Sequence, residues 1–225
     1  MSQHSSRRYL WGLGWVAVLA VSATILFGFG GKAHDRNSHA DDHVQNSDSA
    51  IAFRNDMRKL WEDHITWTRL AIISIAGGLP DQGPTVDRLL QNQTDIGNAI
   101  KPFYGDAAGT QLTSLLHDHI TIAAEILTDA KAGNTAGVSD ASDRWYANAN
   151  EIAAFLKSAN PEQWPLDHMQ QMMKEHLDLT LAEALAQLSG NYPADVAAYD
   201  QVHTNILGMA DMLSLGIINQ FPKQF

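Results

Sequence analysis

Apolar residues recur along this chain at the three-and-four spacing of amphipathic helices, and single polar residues interrupt the apolar stripes at corresponding places. The first stripe carries Leu60, Trp61, His64, Trp67 and Thr68, in a helix expected over about residues 53–75. The same face recurs as Leu115, Leu116, His119, Ile122 and Ala123, and again as Met172, Met173, His176, Leu179 and Thr180. Between them run Leu89, Asn92 and Ile96; then Trp145, Asn148, Ile152 and Phe155; and last Tyr199, His203, Ile206, Ala210 and Leu213. Each of the six stripes therefore places a histidine or an asparagine on a face expected to be buried.

The stripes form a repeat. Asp63-His64, Asp118-His119 and Glu175-His176 each stand fourteen residues ahead of a glycine, at Gly78, Gly133 and Gly190. If each glycine marks the tip of a helix hairpin, fourteen residues at ~1.5 Å apiece put each histidine ~21 Å below its turn. Asn92, Asn148 and His203 then lie at about the same depth on the returning arms. Pro84, Pro165 and Pro193 fall near expected helix starts, and KPFYGD and SANPEQWP separate one hairpin from the next. No run of alternating β-branched residues competes with this pattern. The expected fold is all-α, with three repeated antiparallel hairpins forming a six-helix bundle over residues 51–225. Whether the hairpins close into a bundle or stack as a short solenoid stays open.

The segment before this domain differs in kind. Residues 9–31, YLWGLGWVAVLAVSATILFGFGG, carry no charge and are long enough to cross a bilayer as one helix. Arg7 and Arg8 precede them, and the flank that follows mixes Lys32, Asp35, Arg36, Asp41 and Asp42, so residues 1–8 are expected in the cytoplasm. Gly31-Lys32-Ala33 makes a poor cleavage site, which favours an uncleaved anchor over a signal. Residues 32–50 lack large apolar side chains and read as a disordered linker. The expected location is a bacterial cytoplasmic membrane, crossed once, with the helical domain outside the cytoplasm.

Composition narrows the chemistry. The chain has no cysteine, so a metal must take nitrogen, oxygen or thioether ligands. A formal charge of −10 and the lack of a basic stripe argue against nucleic acid as a partner. No nucleophile elbow, H-E-x-x-H helix or phosphate loop occurs, so nothing marks the chain as an enzyme.

Several inward imidazoles at one depth resemble the metal sites that helical bundles build from facing helices. The candidate ligands are His64, His119, His176 and His203. Asn92, Asp95, Asn148 and Glu151 are placed to flank and orient them. Zinc, copper, manganese and iron are not distinguished, although Met169, Met172, Met173, Met209 and Met212 stand near the last pair. Two other readings use the same residues: a hydrogen-bonded layer that only fixes which faces pack together, and a histidine pH switch. Asp63, Asp118 and Glu175 lie about 100° round the helix from their histidines and are expected in solvent.

The strings MRKLWEDHITWTRLAIISI, NAIKPFYGD, RWYANANEIAAFL, EHLDLTLAEAL and MADMLSLGIINQFP resemble a family of small, poorly characterised all-helical bacterial proteins. The resemblance covers nearly all of residues 57–222 and implies the same all-helical fold. Members sometimes carry the labels acetylglutamate kinase or glycosyltransferase, but the nucleotide-binding pattern those activities need is missing here. In that family an acid can stand where His203 stands, which would still leave a metal ligand.

Overall fold

A computed structural model describes residues 44–225, and these are helical almost throughout. Helix α1 runs Asp48–Gly77, α2 Gln82–Ala132, α3 Thr135–Ala159, α4 Leu166–Leu188 and α5 Tyr192–Gln220. A short 3-10 turn, Pro222–Gln224, ends the chain. The domain is thus all-α with five helices, and there is no strand among the described residues. Among them, too, no helix is long and apolar enough to cross a membrane. The anchor expected over residues 9–31 and most of the linker lie outside the described residues.

Helix α1 starts earlier than its apolar stripe suggests. Ser47 caps it, accepting from the Ala50 amide at 3.2 Å, and Ala50 is fully buried. Asn134 and Asn191 cap α3 and α5 in the same way. The three hairpin tips are alike. Gly78, Gly133 and Gly190 adopt φ of 64°, 72° and 71°, a left-handed conformation that a side chain would strain. At each tip the glycine amide bonds to the carbonyl three residues back, and the next amide to the carbonyl five residues back from itself.

Helix α2 is interrupted where one hairpin passes into the next. Gly105 has φ 84° and ψ 168°, three residues after Pro102, and the helix resumes beyond it. The two halves then fold back on one another at Gly97 and Gly109. A methyl group added to Gly97 would sit 2.6 Å from the Gly109 carbonyl oxygen. Gly97→Ala should therefore destabilise the domain by roughly 1–3 kcal/mol, as an overpacked core does. Denaturant unfolding would measure it, and Gly83→Ala, at an open position, serves as the control.

Neighbouring helices pack in a ring, α1 on α2, α2 on α3, α3 on α4, α4 on α5 and α5 back on α1. The bundle is therefore closed, not an open stack. Trp61, Ile65, Leu116, Ile152, Leu177 and Ile206 belong to the largest cluster of its core. The end away from the tips is plugged by aromatic rings. Phe103 stacks on Phe225 and meets Phe53 edge-on, while the Ser49 hydroxyl holds the Phe225 carbonyl at 2.6 Å. Tyr104 and Trp164 lie just inside this plug, with their ring centres 6.1 Å apart.

Candidate functional site

Three of the four candidate histidines meet in the core. His64 on α1, His119 on α2 and His176 on α4 are 2%, 2% and 4% exposed. The ring centre of His176 is 5.7 Å from that of His64 and 6.2 Å from that of His119. Their equal distance from the tip glycines brings them to one level, and the closed ring of helices turns them toward one another.

Side-chain amides hold two of the rings. Asn148 donates through Nδ2 to the Leu115 carbonyl at 3.0 Å, which leaves its Oδ1 facing His119 Nδ1, also at 3.0 Å. His119 Nδ1 therefore carries the proton and Nε2 keeps its lone pair. Asn92 repeats half of this device, donating to the Leu60 carbonyl at 3.0 Å. Leu60 and Leu115 each stand one turn before their histidine. It is Gln93, however, that reaches His64, with Nε2 3.2 Å from Nδ1. The same nitrogen lies 2.9 Å from the Leu89 carbonyl and 3.1 Å from Asn92 Oδ1, so its two hydrogens face three acceptors. Gln93 Oε1 is buried and has no partner, and neither has His176 Nδ1.

Burial sets the charge of the cluster. It lowers the His64 pKa to about 3, with the neighbouring His119 adding to the effect and Gln93 opposing it. Burial likewise lowers His119 to about 4 against the opposing bond to Asn148. His176 is pushed well below its ordinary value by burial and then by the other two rings. All three are neutral imidazoles at pH 7, the form that binds metals. They line an internal cavity of about 30 Å³ that runs from the histidine layer past Met173 and Leu213 to Trp164. Among the described residues, no three His, Cys, Asp or Glu side chains stand in a ready coordinating arrangement. Convergence on an ion therefore requires the rings to turn about their χ angles.

The remaining candidates lie elsewhere. His203 sits 36% exposed on α5 and meets Glu62 of α1 at 3.1 Å, away from His176. Asp95 is half-buried and accepts from Gln91 at 3.0 Å, and Glu151 is exposed. Neither borders the cavity. The residue missed by sequence reasoning is Gln93, which is fully buried. Its signal was present, since Leu89, Gln93, Ile96 and Ile100 form a helical stripe.

A second polar group was also missed. Arg69 on α1 donates to Glu183 of α4 at 2.7 Å and, through two nitrogens, to Asp195 of α5 at 3.0 and 2.8 Å. Its guanidinium lies over the Tyr199 ring, 4.8 Å from the centre. Glu183 and Asp195 are 1% and 2% exposed, so one cation ties together two buried carboxylates. Glu183 stands two turns beyond His176 on the same face, which was the available clue.

Comparison with protein-family models, curated proteins and solved structures finds no match to this chain.

Proposed function

We propose that this is a membrane-anchored, extracytoplasmic helical-bundle protein that binds a transition metal through inward histidines, in a binding or sensing role. Residues 9–31 supply the anchor in this reading. The break at Gly105 divides α2 into two arms, so that six arms make three hairpins. His64, His119 and His176 are the ligands, and His203 stays with Glu62. The carrying observation is the convergence of three neutral imidazoles on one buried cavity, with His176 Nδ1 left unpartnered. An orphaned buried nitrogen costs about 1–3 kcal/mol, which a bound ion offsets. Asn148 orients His119 through Nδ1 and leaves Nε2 free, as partners behind metal-binding histidines do. A turn of the Gln93 amide that brings its unpartnered oxygen to His64 Nδ1–H would free the second Nε2, at the cost of the bonds Gln93 now makes to the Leu89 carbonyl and Asn92 Oδ1.

Metal analysis of the full chain, purified without a metal-binding tag and reconstituted with zinc, copper, manganese and iron in turn, tests the reading. One ion per chain is expected for at least one metal. Sub-stoichiometric binding of all four would overturn it. Asn148→Leu should lower the affinity ~10–100-fold, the usual effect of removing a group that orients a ligand.

A structural layer is the second reading, favoured by the direct bonds from Gln93 and Asn148 to two of the rings. On that reading His176→Gln changes the melting temperature equally with metal and with chelator. A melt that is chelator-sensitive in the native chain and insensitive in His176→Gln excludes it.

A further inference from the structure

The cavity reached by the three imidazoles is also lined by thioethers. Met57, Met173 and Met209 border it and are 2%, 4% and 1% exposed. Met173 stands three residues before His176 on the same face of α4, ~4.5 Å along the helix, and borders the same cavity as the three imidazoles, so a change of rotamer in its flexible side chain is what would bring its sulfur to them. Counted from the tip glycines, Met57 and Met209 lie further toward the aromatic plug. Among the described residues no Asp or Glu lines this cavity, and neither does Lys or Arg. Apart from the Tyr104 hydroxyl, which donates to Gln220 at 2.6 Å, the available donors are neutral nitrogen and neutral sulfur.

That donor set discriminates between ions. The cost of moving an ion out of water grows with the square of its charge, so a dication costs about four times as much to bury as a monocation of the same size. Zinc, manganese and ferrous iron would enter as dications with no carboxylate to offset them. Imidazole with thioether suits a soft ion, and the soft monovalent ion among first-row metals is cuprous copper. We infer that the ion taken by this cluster is Cu(I), bound by imidazoles of His64, His119 and His176 together with the sulfur of Met173. This rests on the metal-binding reading and adds the identity of the ion and a fourth ligand. Met57 and Met209 form a second sulfur layer behind it, along the line of the cavity.

The test is an anaerobic titration of the full chain, tag-free and stripped of metal, in a mild detergent. Cu(I) is titrated against a chromophoric Cu(I) chelator and Zn(II) against a zinc chelator. One Cu(I) per chain is expected, bound at least ~10-fold more tightly than Zn(II). Met173→Leu keeps the side-chain volume and should lower the Cu(I) affinity ~10-fold while leaving zinc affinity unchanged. X-ray absorption at the copper edge should find a sulfur neighbour that is lost in Met173→Leu. Zinc bound as tightly as Cu(I) would overturn the copper assignment and leave the metal-binding reading standing. Neither ion bound would overturn the copper assignment, and the metal-binding reading would fall with it if manganese and iron are also not bound. Native Cu(I) affinity and all-nitrogen coordination in Met173→Leu would remove the sulfur ligand from the site.

Discussion

Arg69→Met should cost about 3–5 kcal/mol of folding stability near neutral pH, because it leaves two buried carboxylates without their cation. Arg69 links α1 to α4 and α5 through Glu183 and Asp195, so the loss falls on the contact that closes the ring of helices. The cost should depend on pH. Burial raises the Glu183 pKa to about 7, with Arg69 opposing the shift and Asp195 adding to it. A carboxyl whose folded pKa is raised favours the folded state below its unfolded value, ~4.3, and that contribution disappears as pH rises through about 7. Removing Arg69 takes away the main force holding Glu183 down, so the penalty should be larger at pH 8 than at pH 5. Denaturant unfolding of both proteins at the two pH values measures this. An equal loss at both would show that the carboxyl does not titrate in this range. Arg69→Lys should recover only part of the stability, since an ammonium does not reproduce the fork that reaches Asp195 through two nitrogens.

Local geometry leaves strong marks in a sequence, whereas the direction a helix face points in a closed ring leaves weak ones. The tips at Gly78, Gly133 and Gly190 could be read directly, because left-handed backbone selects glycine and the spacing recurs. Burial of His64, His119 and His176 was equally legible from the stripes around them. On α5 the expected stripe is buried at Ile206, Ala210 and Leu213, whereas Tyr199 and His203 lie at its edge. The buried stripe is Val202, Ile206, Met209 and Leu213, whereas His203 lies about 100° from Val202 and faces α1. Depth alone set His203 level with His176. Which side of α5 turns inward depends on its packing against both α4 and α1, and that closure is not written in any one hairpin. Gln93 was hidden differently: Asn92 beside it satisfied the expected spacing, yet α2 buries both side chains, and the longer one reaches the imidazole.

Acid should unfold this domain through the same three histidines. Each has a folded pKa below the unfolded value of ~6.5, so the unfolded chain binds more protons and the stability held above that value is lost as pH falls. A histidine kept neutral costs about 1.4 kcal/mol for every pH unit below ~6.5. At pH 5 that is ~2 kcal/mol each for His64 and His119, ~4 kcal/mol together, and His176 adds in the same direction. A domain of this size has only about 5–15 kcal/mol in total. Glu183 works the other way, since its contribution grows as pH falls from about 7, but a single carboxyl is outweighed by three imidazoles. Stability should therefore peak near pH 6–7 and fall steeply below ~5, with protons taken up cooperatively on unfolding. Calorimetry or circular dichroism across pH 4–8 shows the slope directly. His176→Leu removes one of the three proton acceptors from both states and should flatten the acid limb. An unchanged slope in that variant would mean that the cluster is protonated without unfolding, by rings that reach water while the bundle stays intact.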